Sequence, residues 1–333
     1  MNAPTRINEL LWAQWKTKSL EAAIKLCVFT ELGKHSLTVD ELTSRLKLRA
    51  NARAVRDFFD SLVSLGLLES EGSRYMNSAE TSQYLDQAKD DSYIGDSLLQ
   101  GIADPILDLS EALRRDPPDS ANLPGREFYE QQYSTPDGIR MFLGIMTASS
   151  IGSAMVIAEK FPWARYENFV DVGCAEGALL AQVVTRHPHL SGIGLDLPVT
   201  ESVYKEYISK MGVGERASFL SGDFFNDALP KADVVVYGRI LHNWPLGQKK
   251  ELLAKAFASL PKGGAVIVYE ALIDGFRCRN TTALFLSLMM NLVVGGGFEF
   301  SGEECQSWLH EAGFSGVCVE PLDGPLSMVV GFK

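Results

Sequence analysis

The chain has 333 residues, 46% of them hydrophobic, which is long enough for two domains that each bury a core. Its 31 Lys and Arg residues face 42 Asp and Glu residues, and the net charge of -11 excludes a generally cationic nucleic-acid binder. Five widely spaced cysteines without a C-x-x-C pattern argue against a disulfide framework and a zinc cluster. The N-terminus lacks a secretory pattern, and the longest apolar run, residues 283–294, is too short to cross a bilayer. We therefore expect a cytoplasmic protein with no membrane and no nucleic-acid partner.

The first 100 residues are predicted to be mainly helical. Apolar residues recur at helical spacing over residues 7–32, 40–46 and 52–65. Residues 38–41 form a capping-box pattern, and a Glu-Gly turn at 71–72 between two β-prone segments predicts a hairpin. Two helices followed by a hairpin are typical of a winged helix.

A winged helix can read DNA or serve as a scaffold for dimerisation. Residues 1–100 contain 12 Lys and Arg residues and 14 Asp and Glu residues, so they lack the surplus positive charge that attracts phosphates. We therefore favour a dimerisation domain over a DNA reader for residues 1–100.

The remaining chain is predicted to form a connector and an α/β domain. Residues 101–165 read as a helical connector contributing to a substrate pocket, with loops at two proline-containing stretches, 116–118 and 123–125. From residue 166 to 333, short apolar runs alternate with helical stretches, which predicts a parallel sheet covered by helices. The predicted strands are residues 169–172, 193–195, 217–220, 234–237 and 265–269.

Residues suited to a nucleotide-like ligand follow successive predicted strands. Gly173 and Gly177 come after the first strand and let the backbone turn tightly and approach a ligand. Asp196 stands at the tip of the second strand, where a carboxylate can accept both hydroxyls of a ribose. Asp223 and Phe224 follow the third strand and offer an adenine amine acceptor and a packing ring. Each feature alone also fits a tight turn, a helix cap or a solvated charge, but ligands of open α/β sheets bind at this edge.

The last two predicted strands carry a candidate acid–base pair. The fourth leads into His242, whose imidazole titrates near neutral pH and suits proton transfer. The fifth ends in Glu270, which can orient an imidazole through its other nitrogen. A structural histidine and a solvated strand-end charge are the alternatives, and the strand-end position favours the functional interpretation.

Six motifs occur in order: VDVGCAEG, GLDLP, GDFF, RILHNW, LPKGGAVIVYEALID and GGFEFSGEECQSWLHEAGF. Through them, residues 10–333 resemble the S-adenosylmethionine-dependent small-molecule O-methyltransferases of the plant caffeic-acid and bacterial antibiotic-tailoring type. The resemblance implies an N-terminal winged-helix dimerisation domain, a C-terminal Rossmann-like class I methyltransferase domain, and a homodimer. It also implies S-adenosylmethionine as cofactor, S-adenosylhomocysteine as its product, and no metal.

The same resemblance implies roles for individual residues. His242 matches the family's catalytic base, and Glu270 and Glu299 match the two carboxylates that frame it. The implied cofactor-binding residues are Asp171, Gly173, Gly177, Asp196, Leu197, Asp223, Phe224, Arg239 and Trp244. The residues implied to line the acceptor pocket are Met146, Met290 and Val294.

Two sites depart from the family pattern. Cys174 and Ala175 replace the second and third of three consecutive glycines, so cofactor affinity or the backbone path is expected to differ. Asn243 stands where the family commonly has Asp after the catalytic His, which removes a charge beside the base.

The expected reaction is methylation of a hydroxyl on a small aromatic or polyketide-like metabolite, with His242 removing the proton. Methylation of carbon or nitrogen on the same scaffold remains open. A nicotinamide dehydrogenase is disfavoured because Ala175 interrupts the G-x-G-x-x-G pattern it would need. A binding protein that has lost catalysis is disfavoured because the base and both carboxylates are present.

Overall fold

The computed structural model divides the chain into two compact units, Met1–Pro105 and Ile106–Lys333. It describes residues 5–89, 92–103, 109, 113 and 124–333. Of the loops predicted in the connector, residues 116–118 and Leu123 lie outside the described residues. The prediction of a loop at Pro124 was wrong, because this residue begins a helix, where its missing N–H costs nothing.

The N-terminal unit is mainly helical. Its strands form a three-stranded antiparallel sheet in the order β1-β3-β2, and its core includes Phe29, Leu42 and Phe59. The described elements are α1 (Thr5–Lys25), α2 (Val28–Leu32), β1 (Leu37–Thr38), α3 (Val39–Arg45), α4 (Ala52–Ser64), β2 (Leu68–Glu71), β3 (Arg74–Asn77), α5 (Ala79–Tyr84) and α6 (Gly95–Ala103).

Local signals in this unit act as the sequence predicts. The hydroxyl of Thr38 accepts the N–H of Glu41 at 3.3 Å, and the Glu41 carboxylate accepts the N–H of Thr38 at 2.7 Å. This capping box satisfies donors that the first turn of α3 leaves unpaired. The helical segment expected up to residue 32 is divided instead, because Cys27 adopts a left-handed φ of 55°.

The C-terminal unit is an α/β domain around a seven-stranded sheet in the order β6-β5-β4-β7-β8-β10-β9. Strands β4 to β8 are parallel and correspond to the five predicted strands, whereas β9 and β10 are antiparallel and were not predicted. The described elements are α7 (Pro124–Gln132), α8 (Pro136–Lys160), β4 (Asn168–Val172), α9 (Ala178–Arg186), β5 (Ser191–Asp196), α10 (Glu201–Lys210), β6 (Ala217–Ser221), β7 (Val234–Gly238), α11 (Leu246–Ser259), β8 (Ala265–Glu270), α12 (Thr281–Met289), α13 (Gly302–Ala312), β9 (Ser315–Pro321) and β10 (Ser327–Phe332).

Both faces of the sheet are covered by apolar cores. Phe169 packs into the core on one face with Ile157 of α8, while Val170 packs on the other with Leu252 of α11. Helix α8 is the one described helix long and apolar enough to cross a membrane by length and composition. Since Ala154 and Ile157 of this helix are buried in the core, we interpret it as a core helix of the domain.

The strand order places a ligand site at one edge of the sheet. The chain runs from β4 to β5 and β6 on one side and then returns to β7 and β8 on the other. The order therefore reverses between β4 and β7, and crevices at such switch points, outside the carboxyl ends of the strands, are where open α/β sheets bind ligands.

Candidate active site

A cavity of about 230 Å³ opens at this edge of the sheet. Twelve of the fifteen residues expected to bind cofactor, act as base or line the acceptor pocket lie on its wall: Asp171, Gly173, Asp196, Leu197, Asp223, Phe224, Arg239, His242, Trp244, Met146, Met290 and Val294. Three others do not reach its wall. Gly177 caps the start of α9, and Glu270 and Glu299 lie behind His242. The structure thus brings the expected cofactor, base and acceptor residues to a single cavity.

The loop after β4 keeps a glycine-like path despite its two replaced glycines. Gly173 has a φ of 74°, and a Cβ there would collide with Ile240. Ala175 adopts a left-handed φ of 51°, which a residue with a Cβ adopts only at a cost. The buried side chain of Cys174 fits because Gly194 faces it, and a Cβ on Gly194 would lie 2.6 Å from the Cys174 sulfur.

Asp196 connects this loop to the tip of β5. Its carboxylate accepts the backbone N–H of Ala175 at 2.8 Å and that of Leu197 at 2.7 Å. These two bonds leave lone pairs on both oxygens, so the group can also accept from a ligand hydroxyl. Burial raises the pKa of Asp196 to about 6, an effect that the two backbone hydrogen bonds oppose. Burial likewise raises the pKa of Asp171, also on the cavity wall, to about 7.

Aromatic rings form the wall beyond β6. The rings of Phe225 and Trp244 meet edge to face at 4.7 Å, and Phe224 lies 4.9 Å from Phe225. The indole N–H of Trp244 is buried and has no hydrogen-bond partner among the described residues. Asp223 lies beside these rings, where its carboxylate accepts the N–H of Phe225 at 2.9 Å. Flat rings with polar groups at their edge are suited to holding a planar base.

Sequence reasoning missed a second aromatic group on the cavity wall. The residues that line the cavity here are Phe128 and Tyr129 of α7, Tyr133 just after α7, and Phe142 of α8. The ring of Tyr129 lies 6.1 Å from that of Trp244 and 5.8 Å from that of Phe142. The signal was present, because residues 129 and 133 are one helical turn apart, but aromatic residues at helical spacing occur in any core.

His242 sits on a short 3-10 turn after β7, buried between two carboxyl groups. Its Nδ1 lies 2.6 Å from Oε1 of Glu299 and 3.5 Å from Oε2 of Glu270. Its backbone N–H donates to Oε1 of Glu270 at 3.3 Å. Gly297 makes this possible, because a Cβ there would collide with the carbonyl oxygen of His242. The loop that carries Glu299 can therefore pass directly against the histidine.

Burial dominates the electrostatics of these three groups, which we call the acid–base trio. It lowers the pKa of His242 to about 4, although the charge of Glu270 opposes this. It raises the pKa of Glu270 to about 7 and that of Glu299 to about 8. The ligand-type atoms of the trio lie within 4.8 Å of one another, a spacing that can also hold a cation. Since Nδ1 is engaged by Glu299, we interpret the trio as an acid–base group.

Two further side chains complete the surroundings of the base. Arg239 has a φ of 55°, donates from Nη1 to the hydroxyl of Ser149, and has a buried Nε without a partner among the described residues. Asn243 donates from Nδ2 to the carbonyl of Arg239 at 3.2 Å. The residue that replaces the family's Asp therefore tethers the turn that carries His242.

The donor and acceptor set fits S-adenosylmethionine. A left-handed loop passes close to the cavity, a strand-tip carboxylate keeps free lone pairs, and aromatic rings form one wall, which are groups of the kind that a nucleoside with a charged tail needs.

Comparisons with known proteins agree with this geometry. An O-methyltransferase dimerisation domain model matches residues 8–87, and an O-methyltransferase domain model matches residues 107–315. The chain is 36% identical to the tetracenomycin polyketide synthesis 8-O-methyl transferase TcmO of Streptomyces glaucescens, over 100% of this chain and 98% of the relative. It is 33% identical to the N,N-dimethyltransferase OxyT of Streptomyces rimosus, over 98% of this chain and 95% of the relative.

A solved structure supports the fold. Human N-acetylserotonin methyltransferase in complex with SAM aligns with a TM-score of 0.79 at 24% identity, over 100% of this chain and 98% of that one. This likeness confirms the expected class I methyltransferase fold. The O-methyltransferase domain model and the relatives confirm the expected enzyme class and, with it, the S-adenosylmethionine cofactor. Since the catalytic-domain model covers more than half of the chain, the chain belongs to the S-adenosylmethionine-dependent O-methyltransferases.

Proposed function

We propose that this enzyme methylates a hydroxyl group of a small aromatic or polyketide-like metabolite, with His242 as the general base. The observation that carries the proposal is the 2.6 Å contact between Nδ1 of His242 and Oε1 of Glu299, behind a histidine that lines the cavity. A base needs this support to hold one tautomer and to stabilise the imidazolium that forms.

The hydrogen bond between His242 and Glu299 determines which ring nitrogen can accept the substrate proton. When Nδ1–H donates to the Glu299 carboxylate, Nε2 is the nitrogen left to accept a proton. Burial lowers the pKa of His242, so the ring is neutral at neutral pH. Because burial also raises the pKa of Glu299 to about 8, Nε2 becomes the accepting nitrogen once Glu299 has lost its proton. S-adenosylmethionine supplies an electrophilic methyl group when bound. As the acceptor oxygen loses its proton to Nε2, the ionised Glu299 carboxylate at Nδ1 offsets the new positive charge on the ring.

We assign the cofactor contacts on the same basis. Asp196 accepts the ribose hydroxyls, with Leu197 beside it, and Asp223, Phe224 and Trp244 hold the adenine. The residues proposed for the methionine end are Asp171, Gly173, Gly177 and Arg239. The unpartnered Nε of Arg239 and the N-terminus of α9 at Gly177 offer donors for a carboxylate there.

The acceptor side of the cavity is apolar. Met146 of α8 and Met290 and Val294, one turn apart after α12, line it together with Phe142. Such a wall favours a flat, weakly polar acceptor over a charged one. The relative TcmO is named for polyketide synthesis, and a polyketide-like acceptor is what we propose for this cavity.

Methylation of nitrogen is the second candidate, and the 33% identity to an N,N-dimethyltransferase favours it. The same base can remove a proton from a substituted ammonium group. Incubation with a phenol and an aromatic amine, followed by mass-spectrometric mapping of the methylated atom, distinguishes the two reactions.

The domain roles complete the proposal. Residues 1–100 form a winged-helix dimerisation scaffold, 101–165 a connector that contributes to the acceptor pocket, and 166–333 the catalytic domain. The succession of α3, α4 and the β2–β3 hairpin and the dimerisation-domain match support the first assignment. The pocket contacts of Phe142 and Met146 support the second. The enzyme acts as a cytoplasmic homodimer without nucleic-acid or membrane partners.

The base assignment is tested by His242→Gln. We expect kcat to fall by about 10²–10⁴-fold, because the proton acceptor is lost, while cofactor affinity measured by calorimetry stays unchanged. His310→Gln is the matched control, since that exposed histidine is not among the residues that line the cavity and its Nδ1 lies 3.1 Å from the carbonyl oxygen of Phe314. Wild-type turnover in the His242 variant contradicts the proposal.

A further inference from the structure

Helix α11 carries a fully buried lysine beside the acid–base trio. Lys249 has an exposed fraction of 0%, and its Nζ donates to the carbonyl oxygen of Phe298 at 2.6 Å. The same nitrogen lies 3.8 Å from the centroid of the Phe298 ring and 4.8 Å from that of Phe300. A carbonyl and two ring faces offset only part of the cost of removing an ammonium group from water. Nearby negative charge is needed to keep it charged.

The charges that face Lys249 belong largely to the trio. Glu270 acts on it from the end of β8 and Glu299 from the loop before α13, while Glu304 and Cys305 face it from α13 itself. Burial lowers the pKa of Lys249 to about 8. Together these carboxyl groups oppose that shift, because they favour the charged form of the lysine. The lysine is thus mainly protonated at neutral pH.

The charge of Lys249 in turn acts on the carboxyl groups of the trio. Glu270 and Glu299 are both buried, with a single imidazole between them, so two ionised carboxylates here would repel each other. The cations that act on them are Arg239 from the turn after β7 and Lys249 from α11. Arg239 lines the cavity, whereas Lys249 is not among the residues that line it.

We propose that Lys249 is a positioning residue that acts through the acid–base trio. Its hydrogen bond to Phe298 holds the segment that carries Glu299 against His242, and its positive charge disfavours protonation of the trio. The proposal rests on the proposed role of His242 as base. On this proposal, a residue outside the cavity sets the pH range over which His242 can act as the base.

The sign of the effect does not depend on which group takes the proton. The charge of Lys249 lowers the pKa of His242, Glu270 and Glu299 alike, because each would become more positive on protonation. Without that charge, the trio binds its first proton at a higher pH. A protonated trio cannot accept the substrate proton, so the acidic limb of the pH–rate profile moves upward.

The decisive experiment compares the pH dependence of kcat in Lys249→Met, Lys249→Gln and the wild type. We expect the acidic limb of both variants to move up by on the order of one pH unit, which is a tenfold rate loss below the limb. Lys250→Met, on the neighbouring exposed lysine that pairs with Glu311 at 2.6 Å, is the matched control and leaves the limb in place. A uniform loss of rate at all pH values, without a shift, overturns the proposal. If the Met variant does not fold, the Gln variant, which retains a hydrogen-bond donor, decides alone.

An infrared titration separates this proposal from that of the base. The protonated-carboxyl band of Glu299, assigned by its loss in Glu299→Gln, should persist to higher pH in Lys249→Gln than in the wild type. This readout needs no turnover, so it tests Lys249 even if His242→Gln retains activity and the base assignment fails. An unchanged titration of the band contradicts the role of Lys249.

Discussion

At the scale of single residues, Asp196 shows how one carboxylate organises both the protein and its ligand. Its two oxygens accept N–H groups from Ala175 and Leu197. In Asp196→Asn, one of these acceptors becomes a donor that faces an N–H group, and the negative charge is lost. We expect the dissociation constant of S-adenosylmethionine to rise about 10–100-fold, since a hydrogen bond to a charged group contributes about 1.5–3 kcal/mol.

Calorimetric titration measures the effect of this substitution directly. Asp57→Asn is the control, because Asp57 is an exposed residue of α4 that pairs only loosely with Arg53 at 3.5 Å. Equal affinity in Asp196→Asn and the wild type removes Asp196 from the cofactor site.

Single residues also show where sequence reasoning stops. The position of Asp196 was readable because a strand tip and a preceding glycine loop fix it. The two consecutive lysines of α11 look alike in the sequence, yet Lys249 is buried against the carbonyl of Phe298 and Lys250 pairs with Glu311 at the surface. Only the packing of α11 against the loop before α13 distinguishes them. Glu299 was found by family resemblance alone, because its partner is 57 residues away.

At the scale of elements, the loop after β4 contains backbone strain at Ala175 that a substitution can relieve. Ala175 holds a φ of 51°, where a Cβ costs roughly 1–2 kcal/mol, whereas glycine loses about 0.5–1 kcal/mol of chain entropy. Ala175→Gly is therefore expected to raise the free energy of unfolding of the catalytic unit by about 0.5–1 kcal/mol. Chemical denaturation followed by circular dichroism measures it. Ala181→Gly in α9 is the control and should lower the free energy of unfolding, because that position is helical. A loss of stability in Ala175→Gly would contradict the strain argument.

Whole elements were predictable where the pattern is repetitive. The alternation of apolar runs and helices located β4 to β8 within about two residues, because both faces of a parallel strand are buried. The last two strands were not predicted. Strand β9 is largely exposed at the sheet edge and lacks a continuous apolar run, so its sequence carries no strand signal, and without it β10 had no predicted partner beyond β8. The run at 283–294 was recognised as apolar, but not as α12 followed by the π-helical turn Met290–Gly295. The wider turn depends on i→i+5 hydrogen bonds, which no residue pattern specifies.

At the scale of the whole molecule, the exposed aromatic face of α1 predicts association. Trp12 and Trp15, three residues apart on the same side of the helix, are 59% and 66% exposed in a unit that matches a dimerisation domain. Large apolar side chains clustered on one helix are usually covered by a partner, and a second copy of the chain is the partner that the family match indicates. Replacing both tryptophans with lysine places charge at a surface that would be buried twice in a symmetric dimer, once from each copy.

We therefore expect Trp12→Lys/Trp15→Lys to convert the dimer into a monomer, as measured by light scattering of the eluted protein. Val319→Lys, on the exposed edge strand β9, makes the same chemical change and should leave the dimer intact. Each copy folds its own core around Phe29 and Phe59, so the monomeric variant should keep its helical circular dichroism. A wild-type mass of one chain, or a double variant that remains dimeric, would show that α1 is not the contact surface.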